Sequence, residues 1–293
     1  MSKYIKYEIK GTFKFILTLI LTVLGASAGL QLYAANTMNK FNNLNNSNIT
    51  ASSTPVFIVV VLGLVIFGAF VTAFFYIIGS FRKELYEDRG YLTFTLPLTG
   101  KQILGSKLLV ALMWSALLGL SALLFNLALA AVLFGSRFTE AFNYLYSYGM
   151  SKGMFNIIIN FGLASILSAV STLLLIYFAI TLSRVSIRNK KIGGLWFIVF
   201  LILNALVSYA TLKAINIIPY YIDMTTFKII GETGIGNIVG SNPYLMSPGD
   251  DFGMILSSSS GLIVNIGSLL FSILVMIGTF LGTSYLIEKK IDI

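Results

Sequence analysis

The chain has 293 residues, of which 57% are hydrophobic and only 11% are charged, and its formal net charge is +9. Since an average soluble domain contains about 25% charged residues, this composition excludes an ordinary soluble enzyme and indicates a membrane protein with several spans. The lack of Cys and His excludes disulfides, thiol chemistry, the usual zinc sites and catalysis by imidazole.

Six apolar runs are long enough to cross roughly 30 Å of hydrocarbon, which takes about 20 helical residues. They cover residues 15–35, 56–79, 108–134, 155–182, 195–218 and 261–287. Gly, Ala and Ser are mixed with larger apolar residues throughout these runs, as is typical of helices that pack on one another in lipid. We therefore predict an all-α polytopic membrane protein with six transmembrane helices in a single transmembrane domain, residues 1–293.

The first run has a basic lead and an "ASA" at Ala26–Ala28, which is similar to the cleavage site of a signal peptide. The apolar stretch continues to Ala35, however, and is longer than the usual signal-peptide core of about 7–15 residues. We predict that this run is retained as a helix.

Lys and Arg are distributed unequally between the connecting segments. Fifteen of the twenty lie in the N-terminal segment, residues 80–107, residues 183–194 and the C-terminal segment. Basic residues close to span ends stay on the cytoplasmic side of a membrane. The count predicts cytosolic termini and a cytosolic 80–107 segment in the cytoplasmic membrane. Because these residues lie in short clusters between spans, they favour a lipid bilayer and argue against nucleic acid as a partner.

The 80–107 segment begins with a helical pattern. Phe81 and Leu85 are four residues apart and the charged residues lie mostly on other faces, which predicts a short surface helix that ends at Gly90. Residues 91–96 alternate and are expected to be extended up to Pro97. A charged helical connector of this kind is typical of a contact with a cytosolic partner, and a solvated loop is the alternative.

The same segment ends in a helix start. Thr99 is followed three residues later by Gln102, which is a capping-box pattern and predicts a helix that continues through Lys107 into the third span. Leu96–Gly100 reads "LPLTG" and matches the signal that sortases cleave. That signal must be exported and must lie near the C-terminus, so the predicted cytosolic position, with almost two hundred residues following, excludes this interpretation.

Acidic residues are absent from the middle of every predicted span. Carriers coupled to ions or protons usually place ionisable groups at membrane depth, so this pattern argues against such a carrier and against a voltage sensor. The polar span residues that we single out are neutral: Asn126, Asn160, Ser171, Asn204 and Asn265. They either line a path for an amphipathic or lipid-like substrate or form interhelical hydrogen bonds of about 0.6 kcal/mol each.

No segment fits the G-x-x-x-x-G-K-[ST] pattern of a phosphate-binding loop. The glycines of "GIGNIVG", Gly234–Gly240, are spaced differently and follow no strand–helix frame, so we interpret them as a flexible turn. We predict no catalytic residue, no metal site and no cofactor in this chain.

Residues 81–109 read "FRKELYEDRGYLTFTLPLTGKQILGSKLL". Together with six spans and cytosolic termini, this segment resembles the permease subunits of type-2 ATP-binding-cassette (ABC) exporters, especially those of Gram-positive bacteria. Members of that family carry an acidic helical segment, a Gly, an "LP" step and a Lys at the start of the third span. Here these features correspond to Glu84–Asp88, Gly90, Leu96–Pro97 and Lys107. The topology match covers the whole chain, and the motif match covers only this segment.

The resemblance implies that a separate ATPase subunit binds ATP and Mg²⁺ and docks on a coupling helix. The residues expected at that contact are Glu84, Leu85, Glu87, Asp88, Arg89, Gly90 and Pro97. Two permease chains, identical or related, would form the pathway for a peptide antibiotic, another toxin or a lipid. Lys3–Gly11 would lie as an amphipathic helix on the inner leaflet. Residues 219–260 are longer than expected and predict an extracellular cap or a flexible loop.

Two other functions are compatible with the sequence. One is a membrane sensor or immunity protein that binds a ligand through its outer loops without pumping. The other is a carrier that works without ATP. An ATPase subunit that co-purifies with the chain would distinguish the exporter from both.

Overall fold

The computed structural model describes residues 2–43, 53–86, 98–151, 154–186, 194–224, 227–231, 254–257 and 261–289. Within these ranges the chain forms seven α-helices and four short β-strands. The helices are α1 (Ser2–Asn43), α2 (Ser53–Tyr86), α3 (Gly100–Phe134), α4 (Ser136–Ser151), α5 (Met154–Ser186), α6 (Leu195–Ile217) and α7 (Ile266–Lys289). The strands are β1 (Tyr221–Asp223), β2 (Ile229–Ile230), β3 (Met254–Ser257) and β4 (Gly261–Asn265).

Six of these helices, all except α4, are long and apolar enough to cross a membrane. Each contains one of the six predicted runs or most of it, so the prediction of a helical multi-pass membrane protein is confirmed. Large apolar side chains remain exposed on the helices; Phe67 is 67% and Ile217 is 76% exposed. Such surfaces are unusual on soluble monomers and are expected where lipid covers a helix.

The chain forms two compact units, and α2 and α3 each contribute to both. The first unit comprises residues 1–80 and 109–146. Its core contains Ile16 of α1 beside Val110 and Trp114 of α3. The indole Nε1–H of Trp114 donates a hydrogen bond of 2.8 Å to Thr12 Oγ1. This bond joins α1 to α3 inside an otherwise apolar contact.

The second unit comprises residues 81–108 and 147–293. Helix α5 is its centre and packs against α6 and α7. Every residue from Leu173 to Tyr177 is buried, and Ala179 and Ile180 are completely buried. A helix that is apolar on all sides is expected where neighbouring helices surround it.

A four-stranded antiparallel sheet with the order β2-β1-β4-β3 also belongs to the second unit. Ile222 of β1 pairs with Val264 of β4, and Ile255 of β3 pairs with Ile263 of β4. β-branched residues favour this extended backbone, and both Ile263 and Val264 are buried. The all-α prediction therefore missed a small sheet, and the described strands of residues 219–260 belong to it.

The predicted sixth span begins too early. Residues 261–265 form β4, and α7 begins only at Ile266. Asn265 ends the strand and caps the helix, because its Oδ1 accepts a 2.9 Å hydrogen bond from the Ser268 N–H. Its Nδ2 donates to the Ile218 carbonyl at 3.1 Å. A residue that we predicted inside a span thus marks the point where a strand becomes a helix.

Two shorter helices were also predicted as separate elements. Lys3–Gly11 forms the first turns of α1, and Phe81–Tyr86 forms the last turns of α2, with no break from the span in either case. Both segments lack Pro, and the helix of each span continues through them. The helical conformation predicted for these residues is confirmed, and the structure shows no boundary between each segment and its span. A position on the membrane surface stays a prediction.

Candidate functional site

The candidate site is formed by the two described ends of the 80–107 segment. One end is the last part of α2, residues 81–86, and the other is residues 98–107, which open α3. We call these residues and the side chains of α5 and α7 that they contact the loop-end cluster. Residues 87–97 lie outside the described residues. The predicted contact residues among them are Glu87, Asp88, Arg89, Gly90 and Pro97.

A buried ion pair connects the two ends of the segment. The Lys107 ammonium lies 2.9 Å from Oε1 of Glu84, and the two side chains are only 4% and 14% exposed. Ions of this kind are costly to remove from water, so each depends on the other for compensation. Glu84 was predicted as a contact for a partner protein. The structure gives its carboxylate a partner within this chain, at the first turns of α3.

The apolar face of the predicted surface helix packs inward. Phe81 is 1% and Leu85 is 6% exposed. The Phe81 ring stacks on Tyr177 of α5, with 4.2 Å between the ring centroids and 27° between the planes. Phe81 and Leu85, which we interpreted as the apolar face of a surface helix, are therefore the side chains by which α2 contacts the core of the second unit.

Tyr86, at the end of α2, makes three contacts with its surroundings. Its hydroxyl lies 2.9 Å from Ser183 Oγ of α5. The guanidinium carbons of Arg82 and Arg184 lie 5.9 and 5.4 Å from the centre of its ring, within the range of cation–π attraction. One aromatic ring thus joins charged residues of α2 and α5.

The start of α3 has the predicted capping box. Gln102 N–H is 3.4 Å from Thr99 Oγ1, and Thr99 N–H is 3.2 Å from Gln102 Oε1. This reciprocal arrangement, which satisfies two backbone donors at a helix start, confirms the prediction. It succeeded because the pattern depends only on residues three apart.

Helix α7 adds a carboxylate at the same helix start. Glu288 Oε1 accepts a 2.6 Å hydrogen bond from the Gly100 N–H, where the positive end of the helix dipole favours negative charge. A Cβ atom on Gly100 would lie 2.7 Å from the Ser284 carbonyl oxygen. The glycine of "LPLTG" is therefore needed for close approach of α3 to α7, which gives this residue a packing role.

The polar span residues are distributed over several contacts. Asn126 in the first unit accepts a 2.7 Å hydrogen bond from Gln31 of α1 at its Oδ1. In the second unit, Asn160 Nδ2 donates to the Met224 carbonyl at 3.2 Å. Ser171 is buried in α5, and Asn204 is partly buried in α6.

Sequence reasoning missed several of these partners. Lys107 was predicted as part of the helix that opens the third span and, through the resemblance, as its characteristic Lys, but not as a partner of Glu84; Tyr86, Ser183 and Gln31 were not singled out. Gln31 could have been found, because it is an amide inside the apolar run of the first span. The contacts of Tyr86 depend on the packing of α2 against α5, which no local pattern reports.

These contacts attach the described ends of the 80–107 segment firmly to their surroundings. The salt bridge joins the two ends to each other, the ring stack and the hydroxyl pair join α2 to α5, and the bond from Gly100 to Glu288 joins α3 to α7. Among the described residues, no group of three or more His, Cys, Asp or Glu side chains is placed to hold a metal ion.

Comparison with known proteins adds no relative. No family model matches the sequence, and no curated protein and no solved structure matches it either. The fold by itself defines the class: among the described residues, six helices are long and apolar enough to cross a bilayer, as in a helical membrane protein.

Proposed function

We propose that the chain is the membrane-spanning permease subunit of an ATP-driven type-2 ABC exporter of the Gram-positive type. It would move an amphipathic substrate, such as a peptide antibiotic, a toxin or a lipid, across the cytoplasmic membrane. A separate ATPase subunit would supply ATP hydrolysis, since the chain has no phosphate-binding loop motif. A second permease chain, the same or a related one, would complete the pathway.

The observation that carries the proposal is the buried Glu84–Lys107 pair with its surrounding contacts. The ion pair and the aromatic stack fix the two ends of the segment within the second unit. A loop that receives a force needs firm attachment at both ends, because slack would absorb the movement. The loop-end cluster therefore supports a force-receiving role for residues 87–97.

Force on residues 87–97 would act on the end of α2 and on the start of α3 at once. Since Phe81 stacks on Tyr177 of α5 and Gly100 is bonded to Glu288 of α7, both helices would shift with the loop. Packed helices move as rigid elements between a small number of arrangements. ATP-driven closure of the partner would thus change the packing of the second unit and thereby the access to the pathway.

The proposal is tested by purifying the full chain from its native membrane in mild detergent and identifying its partners by mass spectrometry. We expect an ATPase subunit with a phosphate-binding loop in stoichiometric amount, together with ATP hydrolysis by the purified complex. A sensor, or a carrier that works without ATP, predicts neither. Repeated preparations that retain a second copy of the chain but no ATPase would overturn the exporter proposal.

A further inference from the structure

The hairpin of β1 and β2 in the second unit carries large apolar side chains that the protein leaves uncovered. The two strands are antiparallel. The Phe227 N–H donates to the Asp223 carbonyl at 2.7 Å, and the Asp223 N–H donates to the Lys228 carbonyl at 3.0 Å. Phe227 is nevertheless 78% exposed, and Ile229 is 65% exposed. The hairpin backbone is thus fixed by hydrogen bonds while its apolar side chains have little contact with the protein.

The backbone of Phe227 has an unusual conformation. Its φ is 54°, in the left-handed region that Gly and Asn adopt more readily than an aromatic residue. Residues in such conformations persist where surrounding contacts favour them. Since packing within the protein covers little of the Phe227 ring, we expect the contact that favours an aromatic residue here to come from outside the chain.

The hairpin is bonded to the ends of helices that are able to span a membrane. Asn160 Nδ2 of α5 donates to the Met224 carbonyl at 3.2 Å, and Asn160 is the third residue of the candidate span Ile158–Val185. The Ile266 N–H at the start of α7 donates to the Tyr220 carbonyl at 2.9 Å. Only three residues separate the end of α6 from β1. The hairpin therefore lies beside the ends of three spans.

The lengths of α6 and α7 indicate where these ends lie in a bilayer. The helices have 23 and 24 residues, so they measure roughly 35 and 36 Å at 1.5 Å per residue. When they cross a hydrocarbon layer of about 30 Å, only about 5 Å of each helix extends beyond it. A hairpin bonded at these ends is then at the level of the lipid headgroups.

Positive charge accompanies the exposed apolar residues. Lys228 of the hairpin and Lys213 of α6 are both exposed, and Lys213 Nζ lies 5.7 Å from the centre of the Tyr209 ring. Lys213 is four residues from Ile217, which is 76% exposed, so the two lie on the same face of α6. Asp223, the only acidic residue between Tyr209 and the end of β2, is buried. The exposed charge next to the apolar residues is therefore positive.

We propose that the β1–β2 hairpin is a membrane-interface anchor: Phe227 and Ile229 insert between lipid headgroups, and Lys228 and Lys213 bind the phosphate groups of anionic phospholipids. Apolar side chains insert in this way at the boundary between headgroups and acyl chains. Long Lys side chains keep their stems against hydrocarbon while the ammonium reaches the headgroups. The inference concerns lipid binding by the second unit and holds whether or not the chain couples to an ATPase.

The depth of the hairpin can be measured directly, because the chain has no Cys and a single introduced Cys is a unique labelling site. Ile229→Cys is coupled to a nitroxide in the full chain, which is placed in nanodiscs of phosphatidylcholine with phosphatidylglycerol. Electron paramagnetic resonance compares collisions of the label with oxygen, which concentrates in hydrocarbon, and with a neutral nickel complex, which stays in water.

The oxygen-to-nickel collision ratio at position 229 should lie between two references. One is Leu206→Cys, at an exposed position in the middle of α6, and the other is the free label in buffer. A ratio equal to that of the free label would overturn the proposal. Few collisions with either reagent would also overturn it, since protein rather than lipid would then cover this position.

A variant of the labelled chain tests the aromatic ring. Phe227→Asn removes the ring but suits the left-handed backbone, so the hairpin is retained and the ratio at position 229 should fall towards that of the free label. Phe142→Asn replaces an exposed aromatic residue of the first unit and should leave the ratio unchanged. An unchanged ratio in Phe227→Asn would overturn the anchoring role of the ring. Phe227→Cys gives a second labelling position if Ile229→Cys does not fold.

The lipid composition tests the two lysines. Each Lys close to an anionic surface strengthens binding by about fivefold, so the ratio at position 229 should be higher with phosphatidylglycerol than in phosphatidylcholine alone. Lys213→Gln combined with Lys228→Gln should remove this difference and leave the ratio in phosphatidylcholine unchanged. A difference that persists in the double variant, or a ratio independent of lipid charge in the unaltered hairpin, would overturn the assignment of the lysines to lipid phosphate.

Discussion

The loop-end cluster of the second unit and the Gln31–Asn126 contact of the first unit both join helices through polar side chains, but they differ in how completely these groups are bonded. Glu84, Tyr86 and Glu288 each have a partner in the second unit. Gln31 donates its amide N–H to Asn126, and its buried Oε1 has no hydrogen-bond partner among the described residues. Since a buried acceptor without a donor costs about 1–3 kcal/mol, the polar contacts of the loop-end cluster are expected to hold their helices more firmly.

The largest expected effect comes from breaking the ion pair. Lys107→Met removes the ammonium that lies 2.9 Å from the largely buried Glu84 carboxylate and should destabilise the chain by about 3–5 kcal/mol. Thermal unfolding in detergent, followed by loss of the monodisperse size-exclusion peak, measures the change.

The matched control removes both charges. The double variant Glu84→Gln with Lys107→Met should recover most of the loss, because no unpaired charge remains. If the single and double variants unfold at the same temperature, the pair is not the element that stiffens the loop ends.

A smaller loss is expected from crowding the contact between α3 and α7. Gly100→Ala places a Cβ atom 2.7 Å from the Ser284 carbonyl oxygen, and overpacking of this kind costs about 1–3 kcal/mol. Gly119→Ala in the same helix meets nothing within 4 Å and should be neutral or slightly stabilising. Equal unfolding temperatures for the two variants would show that the helices can separate without cost.

Reversing the charges of Glu87 and Asp88 tests the proposed force-receiving loop. We expect transport per ATP hydrolysed to fall about tenfold, a change of about 1.4 kcal/mol, while insertion and unfolding temperature stay unchanged. Flux and hydrolysis are measured together in proteoliposomes that contain the co-purified ATPase. Normal coupling in the double variant would assign the loop to the solvated alternative.

The smallest expected effect concerns Tyr86. Tyr86→Phe removes the hydroxyl contact with Ser183 and keeps the ring beside both arginines, so it should cost about 0.5–1.5 kcal/mol. Tyr86→Leu removes the ring as well and should cost more, by the cation–π contribution of about 0.5–1 kcal/mol per arginine. If the Leu variant is as stable as the Phe variant, the contacts of the two arginines with the ring do not contribute to stability.

Local patterns predicted the helical architecture and the start of α3, because hydrophobic run length and the Thr99–Gln102 spacing depend on neighbouring residues only. They did not predict β4, since a short apolar run such as Gly261–Asn265 beside a longer one reads equally as helix or strand. The Glu84–Lys107 pair could not be predicted from the sequence, for a different reason. It depends on how the end of α2 and the start of α3 meet, which is decided by packing on α5 and α7.

The hydrogen bond between Gly100 and Glu288 has a consequence for biogenesis. Its two residues are 188 positions apart, and at roughly 5–20 residues per second a ribosome needs about 10–40 seconds to travel between them. During that interval the beginning of α3 lacks the carboxylate that completes it. The contact that fixes the start of α3 to α7 can thus form only after α7 has been made, so the candidate site gains this support late in synthesis.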